Sequence, residues 1–232
     1  MMKLQGNLKK MIGSLAREVQ YRLPLGEHVV DLNPLLGQRI RLQYCGVVHC
    51  MHCGRETRKS FNQGYCYPCF TRLAQCDICI LKPELCHYAQ GTCRQPEWGE
   101  QHCMQAHYVY LAQTSALKVG ITRHTQIPTR WIDQGAAQAI CVFQVKSRYH
   151  AGLIEVCLKQ SISDRTQWQQ MLKTGEATLD LIESRDQVLE RHAGELAALE
   201  KTLTGDVIQV LDDAEPSDQL SDFGTAEQNQ SL

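Results

Sequence analysis

Nine of the twelve cysteines fall between Cys50 and Cys103, so what those sulfurs hold decides what the middle of the chain can become. Three pairs have C-x-x-C spacing: Cys50 with Cys53, Cys66 with Cys69, and Cys76 with Cys79. Two sulfurs three residues apart on a tight turn can grip one tetrahedral ion, and two such turns close a four-thiolate zinc site with Zn–S near ~2.3 Å. Twelve residues separate Cys53 from Cys66, close to the usual gap between the knuckles of a zinc ribbon. Gly54 and Pro68 supply the turns. The expected first site is Cys50, Cys53, Cys66 and Cys69.

The competing use of so many cysteines is a disulfide framework, which belongs to an oxidising compartment. The first residues, Met-Met-Lys-Leu-Gln-Gly-Asn-Leu-Lys-Lys, lack the apolar run of a signal peptide, and no stretch of about 18 apolar residues offers a membrane span. A reducing cytoplasm with no membrane association is the expectation, and there paired C-x-x-C motifs favour metal.

A second structural zinc is expected in the same segment. Cys76, Cys79, Cys86 and Cys93 are the first choice of ligands, with Cys103 as the main substitute and His87 and His102 also in competition. Residues 82–94 are too polar and turn-rich to bury a core, so a staple is needed, and metal is the one at hand. An iron–sulfur cluster accepts the same four thiolates.

With 232 residues, the chain is long enough for two compact domains. Its formal net charge of −1 hides a split. Residues 1–173 carry 21 Lys and Arg against 11 Asp and Glu, or +10; residues 174–232 carry 3 against 14, or −11. Each four-thiolate zinc site contributes about −2, leaving the body near +6. A basic body with an acidic end fits a binder of DNA or RNA.

The expected class is α+β. Residues 1–49 read as a small antiparallel sheet, with alternating strands at 19–23, 28–32 and 39–44. Arg39 and Arg41 would face one side of the last strand, and Cys45 should be a buried thiol. The cysteine-rich module covers 50–104, where Phe61, Tyr65, Tyr67 and Phe70 mix with Arg55, Arg58, Lys59 and Arg72. Such a mixture suits base stacking and phosphate pairing; the plainer expectation for most of the aromatics is a small core over the metal. Residues 105–173 read as β-β-α-β-α: strands at 108–112 and 117–122, a helix at 129–134, a strand at 139–145 and a helix at 150–160. Trp168, Met171 and Leu172 follow at helical spacing. Residues 174–204 form a polar helix that can pack on the body or pair with a partner protein. Residues 205–232 are an acidic tail, disordered by composition.

The 105–173 layout resembles the GIY-YIG nuclease domain, over less than a third of the chain. That family places one motif on each strand of a hairpin, then an Arg on a helix, a third strand and a Glu on the next helix. Tyr108-Val109-Tyr110 stands at the first motif, Lys118-Val119-Gly120 at the second, Arg130 ten residues later, and Glu155 in mid-helix. Tyr108 stands where the family has Gly and Lys118 where it commonly has Tyr, although a phage-associated branch uses Lys-Ile-Gly. The whole chain is also similar to a bacterial family that joins a cysteine-rich half to a GIY-YIG-like half.

The resemblance implies Mg²⁺-dependent phosphodiester cleavage with Tyr110, Lys118, Arg130 and Glu155 as catalytic residues. Glu155 would hold Mg²⁺. Tyr110 would take or orient the proton of the attacking water if a neighbour depressed its pKa. Arg130, or failing it Lys118, would stabilise charge on the phosphate. Against these roles, Arg130 could simply pair with Asp133 on its own helix. Two further classes stand beside the nuclease: a non-catalytic zinc-stabilised adaptor for protein or structured RNA, and a redox or zinc sensor.

Overall fold

The computed structural model describes residues 3–162, 180–203 and 208–211. The class is α+β, with every strand pairing antiparallel. The expected core-docking residues Trp168, Met171 and Leu172, and the tail beyond 211, lie outside the described residues.

The chain opens with a three-stranded sheet of β1 (Ile12–Leu15), β2 (Val19–Leu25) and β3 (His28–Asp31), in that order. Asn33 clamps its middle strand, accepting from the Tyr21 amide and donating to the Val19 carbonyl, both at 2.8 Å. The alternating residues 39–44 do not form the expected strand. They carry no regular structure, and Ile40, Leu42 and Tyr44 are exposed. Alternation alone makes no strand without a neighbouring edge to supply hydrogen bonds. Cys45 is likewise exposed rather than buried.

The cysteine-rich segment holds little regular structure: a hairpin of β4 (Val48–His49) and β5 (Glu56–Thr57), the short helices α1 (Tyr67–Arg72) and α2 (Pro96–His102), and four 3-10 turns between Ala74 and Gln90. A proline in the first turn starts each helix, where a missing N–H costs nothing.

The third part is built on β6 (His107–Gln113), β7 (Leu117–Arg123), β8 (Gln138–Val145) and β9 (Ile208–Val210), in sheet order β7-β6-β8-β9. The β-β-α-β-α order is as read, with α3 (Thr129–Asp133) and α4 (Arg148–Leu158) as its helices. Strand β9 corrects the reading of residues 205–232 as wholly a disordered tail, because 208–210 extend the sheet along β8. The polar helix is two helices, α5 (Leu181–Arg191) and α6 (Ala193–Thr202), broken at His192. Their apolar face is spent on the body: Leu181, Val188, Leu189 and Leu196 pack with Val109, Leu111, Ile154 and Leu158. At the break, His192 accepts or donates on both ring nitrogens, to Ser161 at 2.7 Å and Glu195 at 3.0 Å, which ties the end of α4 to α6.

The two faces of the sheet differ in use. Val109, Leu111, Val119 and Ile121 face α4 and α5, whereas Tyr108, Tyr110 and Ala112 join Trp131 and Ile132 of α3. A bulge shifts the β6–β8 register between Val109 and Tyr110. The extra residue, Val142, lets β8 fill the first face while Cys141 still stands opposite Tyr110 on the second. Two glycines set how the parts dock. A Cβ on Gly13 of β1 would lie 2.5 Å from Ile132 Cγ2, and one on Gly152 of α4 would lie 2.5 Å from Pro83 Cβ. Helix α4 therefore sits directly on the cysteine-rich segment.

Candidate metal centres and a Tyr–Arg–Gln cluster

All twelve cysteines are free thiols. The sulfurs of Cys50, Cys53, Cys66 and Cys69 lie within 4.8 Å of one another, so this four-thiolate group can hold a structural zinc ion. The Cys53–Cys66 separation is 3.7 Å, against about 3.8 Å for the sulfur–sulfur edge of a tetrahedron with Zn–S near ~2.3 Å. The first knuckle closes by a hydrogen bond from the Gly54 amide to the Cys50 carbonyl, 2.9 Å, with Gly54 at φ +69°.

Burial raises the Cys50 thiol, but amides of Cys53, Cys66 and His52 directed at its sulfur outweigh this and hold it down at about 6. Burial pushes the Cys69 thiol up to about 12, and the three neighbouring sulfurs add to the shift. Four sulfurs this close cannot all ionise until a cation joins them. Leu73 and the partly buried Tyr65 and Phe70 pack over the group. Phe61 stacks on Phe70, ring centres 5.5 Å apart, so the aromatics chiefly form the small core expected here. Arg55, Arg58, Lys59 and Arg72 are exposed around it.

The remaining sulfurs divide differently from the first-choice set. Cys76 packs with Cys50, Cys66, Cys69 and Leu73, beside the first group. Cys79, Cys86 and Cys93 instead line one small cavity with Cys103. Burial pushes the Cys79 thiol up to about 12, and the charges of Asp77, Cys86, Cys103 and Cys93 add to the shift. Of the competing histidines, His87 lines the same cavity, and its ring lies with Asp77 and Cys79 in a group whose ligand atoms fall within 4.8 Å of one another, Nδ1 being 2.8 Å from Thr92 Oγ1; His102 stacks on Trp98 with Nδ1 2.9 Å from the Trp98 carbonyl.

On the sheet, Tyr110 is fully buried with its ring over Gly120, where a Cβ would stand 2.5 Å from the phenol oxygen. The Gln134 carboxamide lies 2.8 Å from that hydroxyl. Turned with its oxygen towards the guanidinium, it accepts from Arg130 Nε and Nη2 at 3.2 Å each, while its nitrogen donates to Tyr110 Oη at 2.8 Å. This orientation satisfies both neighbours; the other sets an amide nitrogen against a cation. Arg130 is exposed, and it does not rely on Asp133, which pairs with Lys10.

Burial raises the Tyr110 hydroxyl to about 12, and the Glu155 charge pushes it the same way against Arg130 and Gln134. The phenol is therefore held as a protonated group, contrary to the depressed pKa that a general base requires. Glu155 sits within electrostatic reach of Tyr110 and of Arg148, and its carboxylate lies 3.5 Å from the Lys159 ammonium. Lys118 stands opposite Ala112, two residues from Gly120 and so on the same strand face. Gln134 was not found from the sequence. A helix-ending glutamine carries no motif, and only the fold brings it against Tyr110.

Residues 37–229 match the family described as a protein of unknown function, DUF2797, and the chain belongs to that family. The match takes in the cysteine-rich segment and the four-stranded sheet but not β1–β3. No curated protein and no solved structure matches the chain. No helix among the described residues is long and apolar enough to cross a membrane.

Proposed function

We propose that this member of the DUF2797 family binds nucleic acid through its zinc-stapled body, net basic over residues 1–173, and cleaves phosphodiesters at a GIY-YIG-like centre formed by Arg130, Glu155 and Lys118. The observation that carries the reading is the Gln134 bridge between Tyr110 and Arg130, set over Gly120, with the Glu155 charge reaching the same tyrosine. Strands β6 and β7, helix α3 with its C-terminal end, and helix α4 contribute these groups.

The chemistry follows from the side chains. Arg130, exposed yet fixed in aim by Gln134, would bind a non-bridging phosphate oxygen and stabilise the charge that develops there. Lys118 would add a second cation on the same strand face. Tyr110 is a positioning residue, since a buried phenol held at about 12 keeps its proton and fixes Gln134 and Arg130 instead of accepting from water. Glu155 would hold Mg²⁺: a carboxylate only 12% exposed suits an ion that takes one or two carboxylates and completes its shell with water and phosphate. Bound there, Mg²⁺ would lower the pKa of the attacking water and polarise the phosphate.

A second reading, the non-catalytic adaptor, draws on two observations: Tyr110 is wholly buried, and Lys159 already faces Glu155. One experiment separates them. Nicking of a plasmid and of a structured RNA is followed with and without Mg²⁺, alongside binding. Glu155→Ala should abolish Mg²⁺-dependent nicking and leave affinity within about twofold. Wild-type protein that binds but never nicks would establish the adaptor, and equal nicking by the variant would defeat the assignment of Glu155.

A further inference from the structure

The cavity lined by Cys79, Cys86, Cys93 and Cys103 is about 20 Å³. That is room for one atom the size of a water. Water is a poor occupant, because it needs two to four polar partners, and the polar side chains of the lining, Asp77, His87, Tyr88 and Arg94, are already bonded to one another or to Thr92 and Glu100. A single soft cation matches both the size and the donors.

Arg148 gives a second, independent pointer. It opens α4, and its backbone amide donates to the Cys103 carbonyl at 2.8 Å. Its Nη2 donates to the Ile80 carbonyl at 2.7 Å, next to Cys79. Its Nε is sealed from solvent and has no hydrogen-bond partner. A guanidinium held this way is costly unless an anion stands beside it. Four neutral thiols would bring Arg148 no counter-charge beyond Glu155, which already lies 3.5 Å from the Lys159 ammonium, whereas four thiolates around a divalent ion carry a net charge of about −2. Asp77, which with His87 comes within 4.8 Å of the Cys79 sulfur, is already committed: it accepts from Arg94 Nε at 2.6 Å, lies 3.6 Å from His87 and caps the turn of Cys79.

We infer that Cys79, Cys86, Cys93 and Cys103 hold a second zinc ion, and that Arg148 is both its charge partner and the strut joining it to the helix of Glu155. Gly152 completes the junction by letting α4 rest on Pro83. Loading of this ion then fixes where α4 sits, and with it the Glu155 carboxylate. The inference shares with the proposed function only the premise that thiolates hold zinc. None of its readouts involves nucleic acid, so a protein with two zinc ions and no cleavage would defeat the phosphodiesterase and leave this site standing.

The test is elemental analysis of the full chain purified under reducing conditions. Two zinc ions and no iron are expected for wild type, one for Cys103→Ser, and two for Cys76→Ser. One zinc in wild type, stoichiometric iron, or loss of an ion from Cys76→Ser but not from Cys103→Ser would overturn the assignment. Should Cys103→Ser fail to fold, zinc X-ray absorption of wild type decides: a sulfur-only shell is expected, and a mixed shell would bring in His87 or Asp77 and overturn it. In Arg148→Met, chelator competition should find one of the two ions bound at least ~10-fold more weakly and the other unchanged, as for loss of a group orienting a metal shell. Two unchanged affinities would remove Arg148 from the role.

Discussion

Gly120 and Tyr110 meet so closely that the glycine is a steric requirement. Gly120→Ala would place a Cβ 2.5 Å from the phenol oxygen and 2.6 Å from Cζ, both on a ring with no room to retreat. Chemical denaturation should show a loss of about 1–3 kcal/mol, and an unchanged midpoint would mean that the ring does not sit there. His107 gives a pH test. It is fully buried, Nε2 lacks a partner, and burial lowers its pKa from 6.5 to about 4, with Arg148 and Arg123 adding to the shift. The unfolded chain takes up this proton below pH ~6.5, and the folded one only near pH 4. Stability from this group is therefore complete above pH ~6.5 and falls as pH drops towards 4, by at most about 3 kcal/mol. His107→Leu should flatten that part of the pH–stability curve relative to wild type, and identical slopes would refute the assignment. The spacing of Cys50, Cys53, Cys66 and Cys69 was readable because metal geometry acts over a few residues. Cys103 was legible as a substitute ligand, but that Cys76 would lie apart from the second cavity was not, because a third C-x-x-C motif looks like a ligand pair until folding sends its two sulfurs to different neighbours.

Among the elements, α4 bears the most weight: it carries Arg148, Gly152 and Glu155 on its eleven residues. Gly152→Ala tests the junction because two effects oppose each other. Helix propensity alone favours Ala by about 1 kcal/mol, while the new Cβ would lie 2.5 Å from Pro83 Cβ and 2.9 Å from the Glu84 amide nitrogen. Close packing should win, with a net loss of stability; a gain would show that α4 stands off the cysteine-rich segment. The hairpin β6–β7, the strand β8 and helix α4 were readable because each has its own period and turn. The strand expected at 39–44 failed, and β9 went unseen, for one reason: strand formation depends on a partner edge, and periodicity within a strand says nothing of whether an edge is waiting.

At the scale of the whole molecule, residues 1–173 carry +10 and residues 174–232 carry −11, so on the proposed reading the acidic end competes with nucleic acid for the body. Removing residues 212–232, which spares β9, should tighten nucleic-acid binding at low salt by several fold and by less at high salt. Equal affinities for the two lengths would leave the tail without that role. The larger claim is that a segment short of regular structure becomes rigid only when its thiolates hold metal, and that α4 is set in place by that platform. Hydrogen exchange over residues 50–103 and the first turns of α4, before and after complete removal of zinc by chelation in reducing buffer, tests this most directly. Metal-stapled architecture predicts that amides of both regions lose protection together while β6 and β8 keep theirs; metal-free protein with undiminished protection from 50 to 103 would contradict it.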